Sequence, residues 1–186
     1  MKTAIFHSLL TTLLLSGTAL TPLAQAHTNV VEDAPVTPAQ VIAAHGLTPG
    51  WVEKLKSVGF PVLVPTFVPK GFSVESVDAE RDSLRAPAHY LIKYIGPHEQ
   101  NFWITAGKHG QGTPPPGIRT WVRHPAFGTI PLWRYGHNDQ QHSSLFTGCA
   151  IKLGQVCYDF QSVSGEGQLR VSNWDATKIL MSLTRL

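Results

Sequence analysis

Residues 59–72, GFPVLVPTFVPKGF, set Pro61, Pro65 and Pro69 inside a run of large apolar side chains. A proline lacks the backbone N–H and fixes φ, so neither a helix interior nor a central strand accommodates this spacing. The segment is therefore expected at the margin of a sheet. Pro61 ends the exit from a preceding helix, and Pro65 limits VLV to a sheet edge or approach. Pro69 and Gly71 form a tight turn, with proline second and glycine fourth as type I prefers. The apolar residues between the prolines pack inward and lead into FSVESV.

Downstream of the segment, alternation dominates. In HYLIKYI, Tyr90, Ile92 and Tyr94 share one face and Leu91, Lys93 and Ile95 the other, the period-2 pattern of a half-buried strand. FSVESV, NFWIT, TWVRH, PLWRY and QVCYDFQSV continue the pattern between Gly, Pro, Asn and Asp clusters. No long helical crossover separates consecutive candidates, so antiparallel pairing is expected. Two short helices precede the strands: Thr37 and Thr48 are each followed by proline, the cap-then-N1 pattern, and Gly46 and Gly59 mark their ends. Trp51, Leu55 and Val58 give the second helix an apolar face. The last stretch, SNWDATKILMSLTRL, reads as helical from a Ser172/Asp175 capping box, with Ile179, Leu180, Leu183 and Leu186 as its buried stripe. The expected class is α+β: a curved antiparallel meander with a short N-terminal helical pair and a C-terminal helix.

The first 26 residues carry Lys2, an apolar middle of about a dozen residues and a small-x-small AQA before His27, the pattern of a cleaved secretory signal. A membrane-spanning helix needs roughly 20 apolar residues. An exported, soluble chain is expected, periplasmic or secreted, with a flexible lead-in over 27–37 and one domain over 38–186. Loss of Lys2 leaves one fewer than the chain's 15 Lys and Arg against its 12 Asp and Glu. The remaining bases are scattered, which argues against nucleic acid or an anionic membrane as partner.

Cys149 and Cys157 are the only cysteines. A three-residue loop over KLG, with Gly154 left-handed, sets Cys149 directly opposite Cys157. In an exported protein this reads as a structural disulfide; the competing redox-active reading lacks C-x-x-C.

Eight of the nine histidines follow the signal. In GHNDQQH, His137, Asp139 and His142 are a workable zinc set of imidazole and carboxylate, although the spacing fits no helix face and a solvated polar loop is the alternative. His27, as a mature N-terminus, offers amine and ring nitrogen to copper, as in copper-dependent polysaccharide monooxygenases, provided a second histidine completes the site. In AGKHGQGTPPPGIRT, residues 106–120, the lysine precedes the later glycines, the wrong order for a phosphate loop. The stretch is instead a connection long enough to carry a ligand site on Lys108, His109, Arg119 and Trp121. Phe102, Trp103, Trp133 and Tyr135 are aromatics that can line a groove beside it. No G-x-S-x-G or other nucleophile motif occurs, so no catalytic residue and no cofactor is assigned.

Pro61, Pro65, Pro69, Gly71 and Phe72, followed by HYLIKYIGPHEQNFWITAGKHGQG and closed by ATKILMSLTRL, resemble a bacterial family of extracytoplasmic domains of unknown function. These are akin to sheet-plus-helix modules of envelope lipoproteins and to the outer domains of anti-sigma factors. The resemblance covers residues 60–186 and implies a non-catalytic binding or sensing module, with no catalytic residues to carry over. This chain departs from it in having neither a lipidation cysteine nor a spanning segment. The function expected is thus an exported binding domain of the cell envelope, for an envelope protein or apolar ligand. A histidine-based metal protein or metal-dependent enzyme, and a structural envelope protein, stand as alternatives.

Overall fold

The computed structural model describes residues 46–84, 86–108, 117–165 and 167–186. The signal, the lead-in, the helix expected after Thr37, and His27 and His109 lie outside these residues. Helix α1 (Pro49–Lys56) begins where the sequence places it: Thr48 is the N-cap, its Oγ1 accepting from the Trp51 N–H at 3.3 Å. Val52, Leu55 and Val58 are buried and Trp51 is half-buried.

Eleven strands follow among the described residues: β1 (Leu63–Pro65), β2 (Ser73–Glu80), β3 (His89–Ile95), β4 (Gln100–Gly107), β5 (Ile118–His124), β6 (Gly128–Gly136), β7 (Ser143–Phe146), β8 (Ile151–Leu153), β9 (Val156–Ser162), β10 (Leu169–Arg170) and β11 (Leu183–Arg185). Helix α2 (Asn173–Met181) precedes β11. The protein is α+β, dominated by one nine-stranded, mainly antiparallel sheet in the order β2-β3-β4-β9-β7-β6-β5, with β8 on β9 and β10 parallel to β4. Two meanders are present, β2-β3-β4 and β5-β6-β7, and β9 joins them. Period-2 patterning announces the longer strands but says nothing of a partner 50 residues away, so the simple meander expected from the sequence is corrected by this insertion.

One face of the sheet carries the core. Tyr90, Ile92 and Tyr94 of β3 are at most 1% exposed, as are Phe102 and Ile104 of β4 and Tyr158 and Phe160 of β9. Helix α1 lies by β2, where Lys54 Nζ donates to Val77 O at 3.2 Å. Helix α2 packs beside β5 and buries Ala176, Ile179 and Leu180. Between them runs the proline segment, as β1 paired antiparallel with β11 in the register Leu63↔Arg185, Val64↔Thr184, Pro65↔Leu183.

The helix expected to continue to Leu186 therefore stops at Met181. Its start is as read: Ser172 Oγ accepts from the Asp175 N–H at 3.0 Å and donates to Asp175 Oδ2 at 2.7 Å. Leu183 is buried from a strand rather than from a helical stripe.

Val62, Leu63 and Val64 are at most 4% exposed, and such a buried backbone must pair its polar groups. It does so with few neighbours of its own kind. The Tyr90 hydroxyl accepts from Leu63 N at 2.9 Å and donates to Leu63 O at 3.2 Å. Tyr158 donates to Pro61 O at 2.6 Å. Val62 O accepts from Leu186 N at 2.9 Å, and Thr66 N donates to Ser182 O at 3.0 Å. The turn after Pro69 also departs from expectation: Phe72 N donates to Pro69 O at 3.1 Å, placing Gly71 third, at φ +85°. That is the positive-φ position of a type II turn, not the fourth position of type I.

Burial pushes the Tyr158 phenol up to about 12 and holds Tyr90 and Tyr94 well above the ordinary range. The Tyr94 hydroxyl is buried with no hydrogen-bond partner among the described residues. Unfolded phenols ionise near pH 10, so between about pH 10 and 12 the unfolded chain sheds protons that the native state keeps, and stability falls as pH rises. Urea midpoints are expected to decline steadily above about pH 10 while ionisation of Tyr90, Tyr94 and Tyr158 lags until unfolding. Ordinary titration of these three phenols within an intact fold would contradict this.

Candidate functional site

The opposite, outer face is built by the residues that alternate with the core set. Register carries one row across six strands: Arg119, Trp133, Phe146, Gln161, Trp103 and Lys93, on β5, β6, β7, β9, β4 and β3 in turn. With strands about 4.8 Å apart, the row is about 24 Å long. Trp133, Phe146 and Trp103 are half-buried, and Trp121 and Tyr135 beside them are each 53% exposed. Of the aromatics read from the sequence as groove candidates, Phe102 alone turns to the core, 0% exposed and stacked on Tyr94 at 4.4 Å between ring centres.

At the β5 end the Arg119 guanidinium lies over two indoles, 4.3 Å from the Trp121 ring centre and 5.1 Å from that of Trp133. Trp121 is two residues along the same strand face, and Trp133 is directly opposite Arg119 in the register. Stacking engages the faces of the guanidinium and leaves its in-plane N–H donors outward. Among the described residues the Arg119 guanidinium makes no hydrogen bond or ion pair beyond these stacking contacts.

Lys108, expected near Arg119, pairs instead with Asp82 beyond the other end of the connection. Strands β9, β7 and β6 separate β4 from β5, so the sequence neighbours of the 106–120 stretch are not one cluster. Arg119 and Trp121 come together as expected; Lys108 does not join them.

A cavity of about 190 Å³ opens further along the outer face, lined by His89, Leu91, Thr105, Gly107, Asp159 and the disulfide, with Tyr90 and Ala106 at its floor. Cys149 and Cys157 are bonded, with Cα atoms 4.9 Å apart. The hairpin register differs from that read in the sequence: Leu153 pairs Val156, Lys152 pairs Cys157, and Gly154-Gln155 is a two-residue loop. Gly154 at φ +63° suits the first position of a type II′ turn. The pairing of the cysteines survives because Cys149, at φ 59°, turns back toward Cys157 from outside β8.

Asp159 makes that turn. Its Oδ1 accepts from Thr147 N at 3.0 Å, Thr147 Oγ1 at 2.8 Å and Gly148 N at 2.7 Å, and its Oδ2 accepts from Gln161 Nε2 at 2.8 Å. A buried carboxylate saturated in this way is a structural clamp rather than a free base.

In the histidine loop, Asp139 Oδ1 accepts from the backbone N–H of His142 at 2.7 Å and of Gln141 at 2.9 Å, and lies 3.1 Å from His142 Nδ1. These bonds, that from the His142 N–H foremost, hold the Asp139 carboxyl below its usual range. The His137 and His142 rings are 6.0 Å apart and nearly perpendicular. Among the described residues no group of three or more His, Cys, Asp and Glu is arranged to hold a metal ion. His124 is structural: Nε2 donates to Leu183 O at 2.9 Å while Nδ1 accepts from Ala126 N and Phe127 N at 3.0 and 3.1 Å, tying β5 to β11.

Phe146, Gln161 and Asp159 escaped the sequence reading. SSLF is too short to show a period, and an acid inside QVCYDFQSV reads as an outward residue. Among the described residues no helix is long and apolar enough to cross a membrane. No family model matches the chain, and neither a curated protein nor a solved structure matches it.

Replacing Asp159 by Ala is expected to lower the unfolding free energy by about 2–3 kcal/mol, because its buried N–H partners lose a charged acceptor. Asp159→Asn retains one acceptor oxygen and is expected to lose less. Urea unfolding measures both; wild-type stability in Asp159→Ala would remove the clamp role.

Proposed function

We propose that the chain is an exported, non-catalytic binding domain whose ligand lies across the outer face of the sheet. The row from Arg119 to Lys93, with Trp121 and Tyr135 beside it, carries this reading: aromatic rings on four strands are kept at least partly accessible while the inner face is filled. Apolar side chains clustered on a surface mark an interaction site more often than scattered ones do. Large aromatics bring contact area at small entropic cost. A disulfide is compatible with export, and residues 1–26 read as its signal. The resemblance to extracytoplasmic sheet-plus-helix domains points the same way and implies partners at the cell envelope.

The test is a tryptophan-emission titration of the disulfide-intact protein against a panel of oligosaccharides, peptides and fatty acids. At least one class is expected to bind. Trp103→Ala with Trp133→Ala is expected to weaken it by on the order of tenfold or more, as for buried aromatic anchors. Trp174→Ala on α2, 68% exposed and off this face, should leave binding unchanged. Turnover of a polysaccharide, ester or peptide that one substitution abolishes would overturn the proposal, as would binding indifferent to the outer-face pair.

A further inference from the structure

We infer that the ligand of this face is an acidic oligosaccharide, one whose pyranose rings rest on the aromatic row and whose carboxylate is taken by Arg119. The inference rests on the outer face being the binding surface, and adds the chemistry of what binds there.

Charge supplies the first argument. Strands β5 and β6 contain no Asp or Glu, and they set Arg119 and Arg123 on the outer face. Of the acids elsewhere on that face, Glu80 stands at the far, β2 edge, opposite His89 in the register, and the others are already matched. Glu75 pairs with Lys93 at 2.7 Å, Asp78 lies 3.4 Å from Lys54 and 3.7 Å from His89, and Asp159 is saturated by its four donors. The arginine end is thus a positive surface whose complement must come from outside the described residues.

Geometry supplies the second. Trp121 and Trp133 fix the plane of the Arg119 guanidinium before any ligand arrives. Its donors form a rigid fork that matches the two oxygens of a carboxylate, and little side-chain entropy remains to be lost on binding. Next to that fork lie the flat rings of Trp133, Phe146 and Trp103, with Gln161 between the last two, rather than a deep cavity; the six-position row that holds them runs about 24 Å across the strands.

A ligand that fits is elongated, offers apolar C–H faces to the rings, keeps its polar groups at the periphery, and carries occasional planar anions. A uronate-bearing glycan has these properties. An extended peptide lying across the strands would leave its backbone N–H and C=O groups unpaired on an aromatic surface, whereas an exposed sheet edge satisfies them. A nucleic acid carries a charge at every step and calls for a matching stripe of cations, and here the two arginines stand at one end only.

The experiment titrates the disulfide-intact protein by calorimetry with oligogalacturonate. Fully methyl-esterified oligogalacturonate, cello-oligosaccharide and poly-glutamate serve as comparison arms, and circular dichroism checks the fold of each variant. Oligogalacturonate is expected to bind about tenfold or more tightly than its ester, the worth of one charge-assisted fork. Added salt should erode that preference. Arg119→Gln, and also Arg119→Lys, should lose the preference while retaining the weaker ring-dependent binding; Trp133→Ala should lose both. Equal affinity for acid and ester, or a preference that survives Arg119→Gln, would overturn the inference. Poly-glutamate binding as well as oligogalacturonate would replace the glycan by an acidic peptide, and binding of a panel member other than these, sensitive to Trp103 and Trp133, would likewise refute the glycan while sparing the outer-face reading. Binding indifferent to every outer-face variant would refute both.

Discussion

The fold depends on how a buried proline-rich backbone is kept satisfied. Pro61, Pro65 and Pro69 remove three donors from a segment whose Val62, Leu63 and Val64 lie in the core, so an ordinary two-sided ladder cannot form. On one side β1 pairs with β11; on the other, two phenols replace a strand. Tyr90 both donates to and accepts from Leu63, and Tyr158 reaches Pro61 O. Each would cost about 1–3 kcal/mol if left unpaired at this depth. Because Tyr90 is on β3 and Tyr158 on β9, the segment is fastened to the middle of the sheet, and through β11 to α2.

That arrangement determines where function is possible. The strap, α1 and α2 fill the inner face from β2 to β5, leaving the Phe60, Tyr90 and Tyr158 rings packed on one another at 5.9–6.4 Å rather than around a ligand. The outer face has no comparable cover among the described residues, and it is there that accessible Trp and Tyr side chains and an unmatched arginine fork occur together. The same alternation that buries Tyr90 and Tyr94 turns Leu91 and Lys93 outward, so the core and the proposed binding surface are two readings of one strand pattern.

Much of this was legible in the sequence. Alternation marked most of the long strands, Thr48 and Ser172 announced their helices, and the cysteine pair was joined as the redox context suggested. What was not legible is long-range. The hairpin loop is one residue shorter than read, and since register is a matter of single residues, Cys149 meets Cys157 from outside the ladder rather than across it. SLTRL continues a helical pattern locally but becomes β11, because pairing with β1 satisfies a strap that has no other strand to use. The proximity of Arg119 to Trp121 follows from i, i+2 spacing; its second indole, Trp133, depends on the β5–β6 register. Asp159 and Phe146 gain their roles only when β9 enters between the two meanders.

The most direct measurement is native-state amide hydrogen exchange at Leu63. If the Tyr90 hydroxyl and the β11 ladder hold the strap to the sheet, the Leu63 N–H opens only with global unfolding, and its protection equals that of Ile92 and Phe160 in the sheet core. Exchange at Leu63 orders of magnitude faster than at those two positions would show a strap that lifts away by itself, and would contradict the account.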